Sequence, residues 1–205
     1  MITIYRGNRP TCCAQALLPM FEDRKRQFVD LLGWNVPVIE SAYEVDQFDD
    51  PHCTYLVAAE IGDAHLGSMR LLPTTRPHIL DTLFPTLCDG PVPSGSEVWE
   101  ITRLCLPTRL RTARRLEIRR RLISAMVDHA LADGINVLTG VVQADFRSQV
   151  LAMGWRCAAL GPAARIGGAD IGAFRIDIDI DTPDLLATTD IYRAGLLAAP
   201  DAVAA

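Results

Sequence analysis

Glu100 and Arg103 stand three residues apart in Val98-Trp99-Glu100-Ile101-Thr102-Arg103-Leu104-Cys105-Leu106, a run that is otherwise mainly apolar, β-branched or aromatic and that stops at Pro107. Such a run reads as a strand. In a regular strand these two positions point to opposite faces. Each charge would then sit among apolar neighbours, and a buried unpaired charge is costly. Either partners come from elsewhere in the chain, or a bulge turns both groups to one side. Both solutions describe a polar site set in an apolar wall, with a carboxylate able to take a proton and a guanidinium able to hold an anion.

Partners of the right kind lie upstream. Arg24 falls on the helical stripe of Phe21, Phe28, Leu31 and Leu32, where it needs a carboxylate unless it snorkels at the stripe's edge. Asp46 and Asp49, in Glu44-Val45-Asp46-Gln47-Phe48-Asp49, share one side of a turn by their spacing. They suit Arg24 or a cationic ligand; the plainer reading is a solvated acidic turn. Arg70 is a third arginine in apolar company, beside Met69, Leu71 and Leu72. Downstream, seven arginines lie between positions 109 and 121: Arg109, Arg111, Arg114, Arg115, Arg119, Arg120 and Arg121. They open a helix, where cations oppose the macrodipole. A bound anion would relieve that conflict through backbone N–H groups and planar guanidinium forks. The plainer reading is a solvated basic face.

Periodicity supplies the frame for these groups. Residues 2–5 read as a first strand, and Pro19 is placed at the start of a helix that runs to Gly33. Thr54–Ile61 and His65–Leu72 read as a hairpin across Gly62-Asp63. Residues 73–93 form a long Pro-punctuated crossing with a short helix near His78–Phe84, a length typical of functional loops. After the Glu100 strand, a helix is expected over Ala113–Ala132, with an apolar stripe of Leu116, Ile123, Met126, Val127, Ala130 and Leu131. A strand at Asn136–Val142, a helix at Ala144–Met153 and strands at Trp155–Leu160 and Asp170–Asp181 complete the order. In the last strand Phe174, Ile176, Ile178 and Ile180 alternate with charged residues. This order predicts one α/β domain over residues 1–205, with helices on both faces of a mixed central sheet, and a frayed tail from about 192.

Composition bounds the function. The 205 residues are 49% apolar and carry a net charge of −5, enough for a sizeable core. No stretch approaches the roughly 20 apolar residues of a membrane span. Met1–Arg6 lacks the form of a signal peptide, so a cytoplasmic protein is expected. The six cysteines include no C-x-x-C, and the four histidines show no metal spacing, so reduced packing cysteines and no metal are expected. Lys25 is the only lysine. One arginine cluster in an acidic chain points to a localised anionic partner and argues against a nucleic-acid-binding regulator.

Together these spaced residues resemble the acyl-homoserine lactone synthases, the autoinducer synthases of bacterial quorum sensing. The resemblance covers roughly residues 20–160. It rests on Arg24, Phe28 and Trp34; Asp46 and Asp49; Arg70 in Met69-Arg70-Leu71-Leu72-Pro73; Phe84; and Glu100 with Arg103. It implies a fold like that of the GCN5-related N-acetyltransferases, with a splayed fourth strand. It implies an enzyme that makes an N-acyl-homoserine lactone from S-adenosylmethionine and an acyl thioester, releasing 5′-methylthioadenosine, with no permanently bound cofactor. By the same resemblance Arg24, Phe28, Trp34, Asp46, Asp49, Arg70 and Arg103 surround S-adenosylmethionine, and Glu100 is the base, acting directly or through water. Phe84, Met126, Thr139, Val141, Val142, Leu151 and Trp155 are candidates for the acyl pocket, with Thr139 placed to bond a 3-oxo group. A backbone N–H near Leu104 to Leu106 is expected to stabilise the thioester oxyanion.

Residues 108–115 occupy the place where acetyltransferases carry a glycine-rich pyrophosphate loop, but Arg111-Thr112-Ala113-Arg114-Arg115 has no glycine. That departure weakens the case for tight coenzyme A binding and favours an acidic acyl carrier protein, docked by Arg109, Arg111, Arg114 and Arg115 with its arm along Leu104 and Leu106; coenzyme A phosphates suit the same arginines, so acyl-CoA stays open as the donor. The rival readings are an ordinary small-amine N-acetyltransferase, a nucleic-acid-binding regulator and a catalytically dead binding fold.

Overall fold

The computed structural model describes residues 2–7, 12–60 and 64–196, and for residues 12–16 the backbone only. In chain order the elements are β1 (Ile2–Arg6), α1 (Cys12–Arg24), a π-helical segment (Lys25–Leu31), β2 (Val38–Ile39), β3 (Tyr43–Glu44), β4 (Thr54–Ala59), β5 (His65–Pro73), α2 (Ile79–Leu83), a 3-10 turn (Pro85–Leu87), β6 (Val98–Cys105), α3 (Thr112–Ala132), β7 (Val137–Gln143), α4 (Ala144–Leu151), β8 (Arg156–Ala159), β9 (Ala164–Ile166), β10 (Ala169–Asp177) and α5 (Thr182–Ala187). The main sheet is mixed and runs β1-β4-β5-β6-β7-β10-β8, with β9 on β10; β2 and β3 pair separately. The chain clusters into two compact units. The first comprises Met1–Arg70, Arg103–Met126 and Arg193–Ala205, and the second Leu71–Thr102 and Val127–Tyr192.

In the first unit β1 lies antiparallel to β4, from Ile2 opposite Ala58 to Arg6 opposite Thr54. β4 is buried from Thr54 to Ala58, so it reads as a continuous apolar run without alternation. α1 begins at Cys12 and carries Pro19 inside it. The sequence places the helix start at Pro19; packing of Leu17 and Met20, both buried, holds the turn before the proline despite its missing N–H. After Arg24 the helix widens: the N–H of Leu32 donates to the carbonyl of Gln27 and that of Trp34 to Phe28. This change of pitch defeats the 3.6-residue count. Phe28 stays buried, but Leu31 and Leu32, expected on its face, are 61% and 43% exposed. Gly33, at φ +67°, ends the segment.

α3 buries Ile118, Leu122, Ile123, Ala125 and Met126 in this unit and turns Leu116 outward, against the stripe expected from sequence. Ile118 and Leu122 are one helical turn apart and lead on to Met126; Leu116, two residues before Ile118, falls on the opposite side. Ile118 also explains Gly67 of β5: a Cβ there would lie 2.7 Å from Ile118 Cγ2 and 3.2 Å from the carbonyl oxygen of Cys105. The chain end is anchored as far as Leu196, whose carbonyl accepts the N–H of Ile2 at 3.0 Å, and Arg193, whose N–H donates to Ser124 Oγ. The remainder of the expected tail lies outside the described residues, as does the turn at Gly62-Asp63.

In the second unit β6 runs parallel to β7 from Val98 opposite Val137 to Ile101 opposite Gly140. β10 lies antiparallel to β7 and to β8. Gly140 leaves room for a ring: a Cβ there would lie 2.6 Å from Phe174 Cζ. β10 ends at Asp177, short of the expected Asp181, so Ile180 leaves the alternation and is 82% exposed. The chain turns instead into α5, with Pro183 in its first turn.

Candidate active site

The Glu100 and Arg103 conflict is relieved in two ways. The register of β6 with β7 runs to Ile101, and Arg103 takes φ +51°, which turns the strand at that residue. Each charge also finds partners, in the unit to which it belongs.

In the first unit three guanidinium groups meet three carboxylates. Arg24, 1% exposed, comes from the last turn of α1. Its Nε donates to Glu44 Oε2 at 2.6 Å, and its two terminal nitrogens fork onto both oxygens of Asp49 at 2.8 Å. Arg70, on β5, forks onto Asp46 at 2.7 and 3.0 Å and reaches Asp49 at 2.7 Å. Arg103 donates to Glu44 through Nε and Nη2 and to Asp46 Oδ2 at 2.6 Å. The 46–49 turn holds itself: the N–H of Asp46 donates to Asp49 Oδ2 and that of Phe48 to Asp46 Oδ1. Tyr55 adds a hydroxyl to Asp49 Oδ1 at 2.8 Å. The cluster is thus neutral by internal pairing.

Burial works against the charges of Asp49, Arg24 and Arg70, and their partners overcome it. The carboxyl of Asp49 is held far below the usual carboxylate range because Arg24 and Arg70 outweigh its burial. Arg24 is raised because Asp49 and Glu44 outweigh its burial, and Arg70 is raised by Asp49 and Asp46 in the same way. Burial and the Asp49 charge push the Tyr55 phenol far upward.

Arg103 borders an aromatic pair. Phe28 and Trp34 stack at 4.7 Å between centroids, and the Arg103 guanidinium carbon lies 5.6 and 5.8 Å from their ring centres. Phe28 is buried, whereas Trp34 is 39% exposed, so this corner of the cluster faces solvent.

In the second unit Glu100 is fully buried. Its Oε2 accepts the N–H of Ile79 at 2.7 Å and its Oε1 that of Leu80 at 3.0 Å. The carboxylate thereby caps α2. Thr139, also fully buried, lies opposite Glu100 in the parallel register, with its hydroxyl 3.5 Å from the carbonyl of Trp99. Phe84 and Val141 pack together against the apolar cluster of Leu80, Leu87 and Ala173. Val142 and Leu151 are half-buried. Trp155 is buried, with its indole N–H on the carbonyl of Val150. Met126 is buried in the first unit.

Several of the residues expected at a docking face already have partners within the chain. Gln27 spans the strand edge: its amide nitrogen donates to the carbonyl of Leu104 at 3.1 Å, and its oxygen accepts the N–H of Leu106 at 2.9 Å. The N–H expected to serve the oxyanion is therefore occupied at Leu106. Arg109 donates to Asp23 at 2.5 Å and to the carbonyl of His65, and Arg114 pairs with Glu117 and Glu60. Both arginines thus have carboxylate partners of their own. Arg111 is exposed and Arg115 half-buried.

Sequence reasoning missed Glu44, Tyr55, Gln27 and the α2 amides. Glu44 had a signal: three arginines in apolar company need three carboxylates, and Asp46 and Asp49 supply two. Gln27 had none, because a polar side chain on a helix is ordinarily solvated.

The family model for autoinducer synthases matches residues 12–184. The chain belongs to the autoinducer synthase family. An acyl-homoserine-lactone synthase of Ralstonia nicotianae is 35% identical over 184 residues, covering 87% of this chain and 89% of that one. One from Acinetobacter nosocomialis is 32% identical over 164 residues, covering 76% and 88%. Among solved structures, the CoA-dependent synthase BjaI with SAM and isopentyl-CoA superposes with a TM-score of 0.86 at 26% identity, covering 97% of this chain and 92% of that one. TofI, in a ternary complex with an inhibitor and MTA, gives 0.76 at 28% identity, covering 91% and 96%. An N-acetyltransferase of Lactobacillus plantarum gives 0.56 at 16% identity over 87% and 99%, a likeness of fold alone. This autoinducer synthase is therefore an acyltransferase that makes an acyl-homoserine lactone. Among its described residues no helix is long and apolar enough to cross a membrane.

Proposed function

We propose that the enzyme acylates the amine of S-adenosylmethionine from an acyl thioester and then closes the lactone, releasing 5′-methylthioadenosine. The observation that carries this reading is the neutral six-member ionic cluster ending at Arg103 and the Phe28–Trp34 pair. The ligand has a sulfonium, an ammonium and a carboxylate. Arg103 holds the carboxylate, the aspartates attract the cationic groups, and the stacked rings give an apolar wall with cation–π attraction for the sulfonium. Arg24 and Arg70 hold Asp46, Asp49 and Glu44 in place. Relatives bound to MTA, or to SAM with isopentyl-CoA, support the reading.

Glu100 is the base. Its oxygens accept the backbone N–H groups of Ile79 and Leu80, which orient the carboxylate, and a carboxylate can take a proton through a bridging water. The ammonium proton passes through that water to Glu100. The free amine attacks the thioester carbonyl, the C–N bond forms, and the C–S bond breaks, the departing sulfur leaving as the thiol with the proton that the amine nitrogen loses. The substrate carboxylate then attacks the γ-carbon, and the sulfonium C–S bond breaks. The acyl chain lies along Phe84, Val141, Val142 and Leu151, with Thr139 available to a 3-oxo oxygen. The donor is an acyl carrier protein, with Arg111 and Arg115 on its docking face.

Incubation with S-adenosylmethionine and matched panels of acyl-ACP and acyl-CoA, read by mass spectrometry, tests this. Methylthioadenosine with an acyl-homoserine lactone is expected, faster from acyl-ACP. An acylated amine without methylthioadenosine would overturn the S-adenosylmethionine reading, and faster turnover of acyl-CoA would overturn the carrier reading.

A further inference from the structure

Gln27 occupies the edge of β6 as a ligand amide would. Its carboxamide supplies one donor, to the carbonyl of Leu104, and one acceptor, to the N–H of Leu106, the pair that a neighbouring peptide offers in a sheet. The segment it spans directly follows Arg103, where the strand turns. A cavity of about 280 Å³ lies against the same side chain, lined by Asp23, Arg26, Gln27, Pro107, Thr108 and Arg109. Its lining includes residues 107–109, which directly follow the spanned segment in sequence, so the cavity and the strand edge share the Gln27 side chain. An acyl thioester carried on coenzyme A or on a carrier protein has a pantetheine arm with two secondary amides. Each has the donor and acceptor that Gln27 now supplies.

We infer that Gln27 is a displaceable surrogate for the donor's amide arm: it satisfies the strand edge in the free enzyme and competes with the thioester for it. The inference rests on the proposed use of a pantetheine-borne acyl donor. Gln27 sits in the widened π-helical turn, whose hydrogen bonds are not those of a regular α-helix, so its side chain can withdraw without breaking a regular helix. The device keeps two backbone groups paired while the site is empty. Its cost is weaker donor binding, since the arm must replace two existing hydrogen bonds.

Two variants test this, Gln27→Ala and Gln27→Met; the second keeps the length of the side chain and removes both hydrogen bonds. Steady-state kinetics with the preferred thioester should show its KM falling about fivefold, the scale of one net hydrogen bond. KM for S-adenosylmethionine and kcat should stay unchanged. Calorimetry with pantetheine alone, which needs no turnover, should show both variants binding about fivefold tighter than the unsubstituted enzyme. A thioester KM that rises in both variants would show that Gln27 holds the donor instead of competing with it. Pantetheine binding equal to or weaker than that of the unsubstituted enzyme would overturn the inference. Tighter pantetheine binding in an enzyme that releases no methylthioadenosine would support the surrogate role and refute the S-adenosylmethionine reading, so the two fail separately.

Discussion

Glu44→Gln removes one negative charge from a cluster whose three guanidinium and three carboxylate groups balance. Glu44 is fully buried and accepts from Arg24 at 2.6 Å and from Arg103 at 3.0 to 3.2 Å. Glutamine keeps the shape but offers one acceptor oxygen, and turns an NH2 group toward guanidinium donors. Breaking a buried ion pair from one side costs about 3–5 kcal/mol, because the partner charge is left uncompensated. For a domain of this size that corresponds to a fall in Tm of roughly 10 °C or more. Urea unfolding and thermal melts of the single variants Glu44→Gln and Arg103→Gln and of the double variant measure it. The double variant restores neutrality, so its loss should be smaller than the sum of the singles by about 1–3 kcal/mol. A loss under about 1 kcal/mol for Glu44→Gln, together with simple additivity, would falsify the picture of an interdependent ionic cluster.

Four further outcomes are expected. Glu100→Gln should lower kcat at least tenfold and also lower stability by about 1–3 kcal/mol, since one of the α2 amides loses its acceptor; unchanged kcat would remove Glu100 as the base, and an unchanged Tm would remove it as the cap. Trp34→Ala should raise KM for S-adenosylmethionine several-fold with less than about 1 kcal/mol lost in stability, as the ring is 39% exposed; an unchanged KM would take the aromatic pair out of the substrate site. Asp23, held at about 2 against an ordinary 3.8 because His65 and Arg109 outweigh its burial, stabilises the fold above pH 4 and loses that contribution as pH falls toward 2. Asp23→Asn should therefore cost about 2 kcal/mol at pH 7 and almost nothing at pH 2, read from urea midpoints; an equal cost at both pH values contradicts the assignment. Gly67→Ala should destabilise by about 1–3 kcal/mol through overlap with Ile118, and a neutral result in a thermal melt would mean that α3 moves aside freely.

The ionic site was legible because charge in apolar company is costly and therefore informative. Arg24, Arg70 and Arg103 each announced a missing partner, and Asp46 and Asp49 met two of the three needs. What escaped was set by geometry that no spacing rule carries. The widened turn put Leu31 and Leu32 in solvent, and the Pro19 helix started earlier because tertiary packing outweighed a local breaker. The α2 amides on Glu100 are backbone groups, which every residue has, so side-chain identity gave no hint of them. In the arginine cluster, spacing carried no sign that carboxylates far away in sequence, Asp23 and Glu60, pair with Arg109 and Arg114.

The wide turn from Lys25 to Leu31 has a consequence for how the chain tolerates changes of length. A deletion of one residue there can be absorbed by closing the turn into an ordinary helix, leaving Arg24 anchored behind it. The residues beyond the turn would keep their places, and Trp34 would stay beside Phe28. Loss of a single codon at this point thus leaves the ionic cluster and its aromatic edge in place.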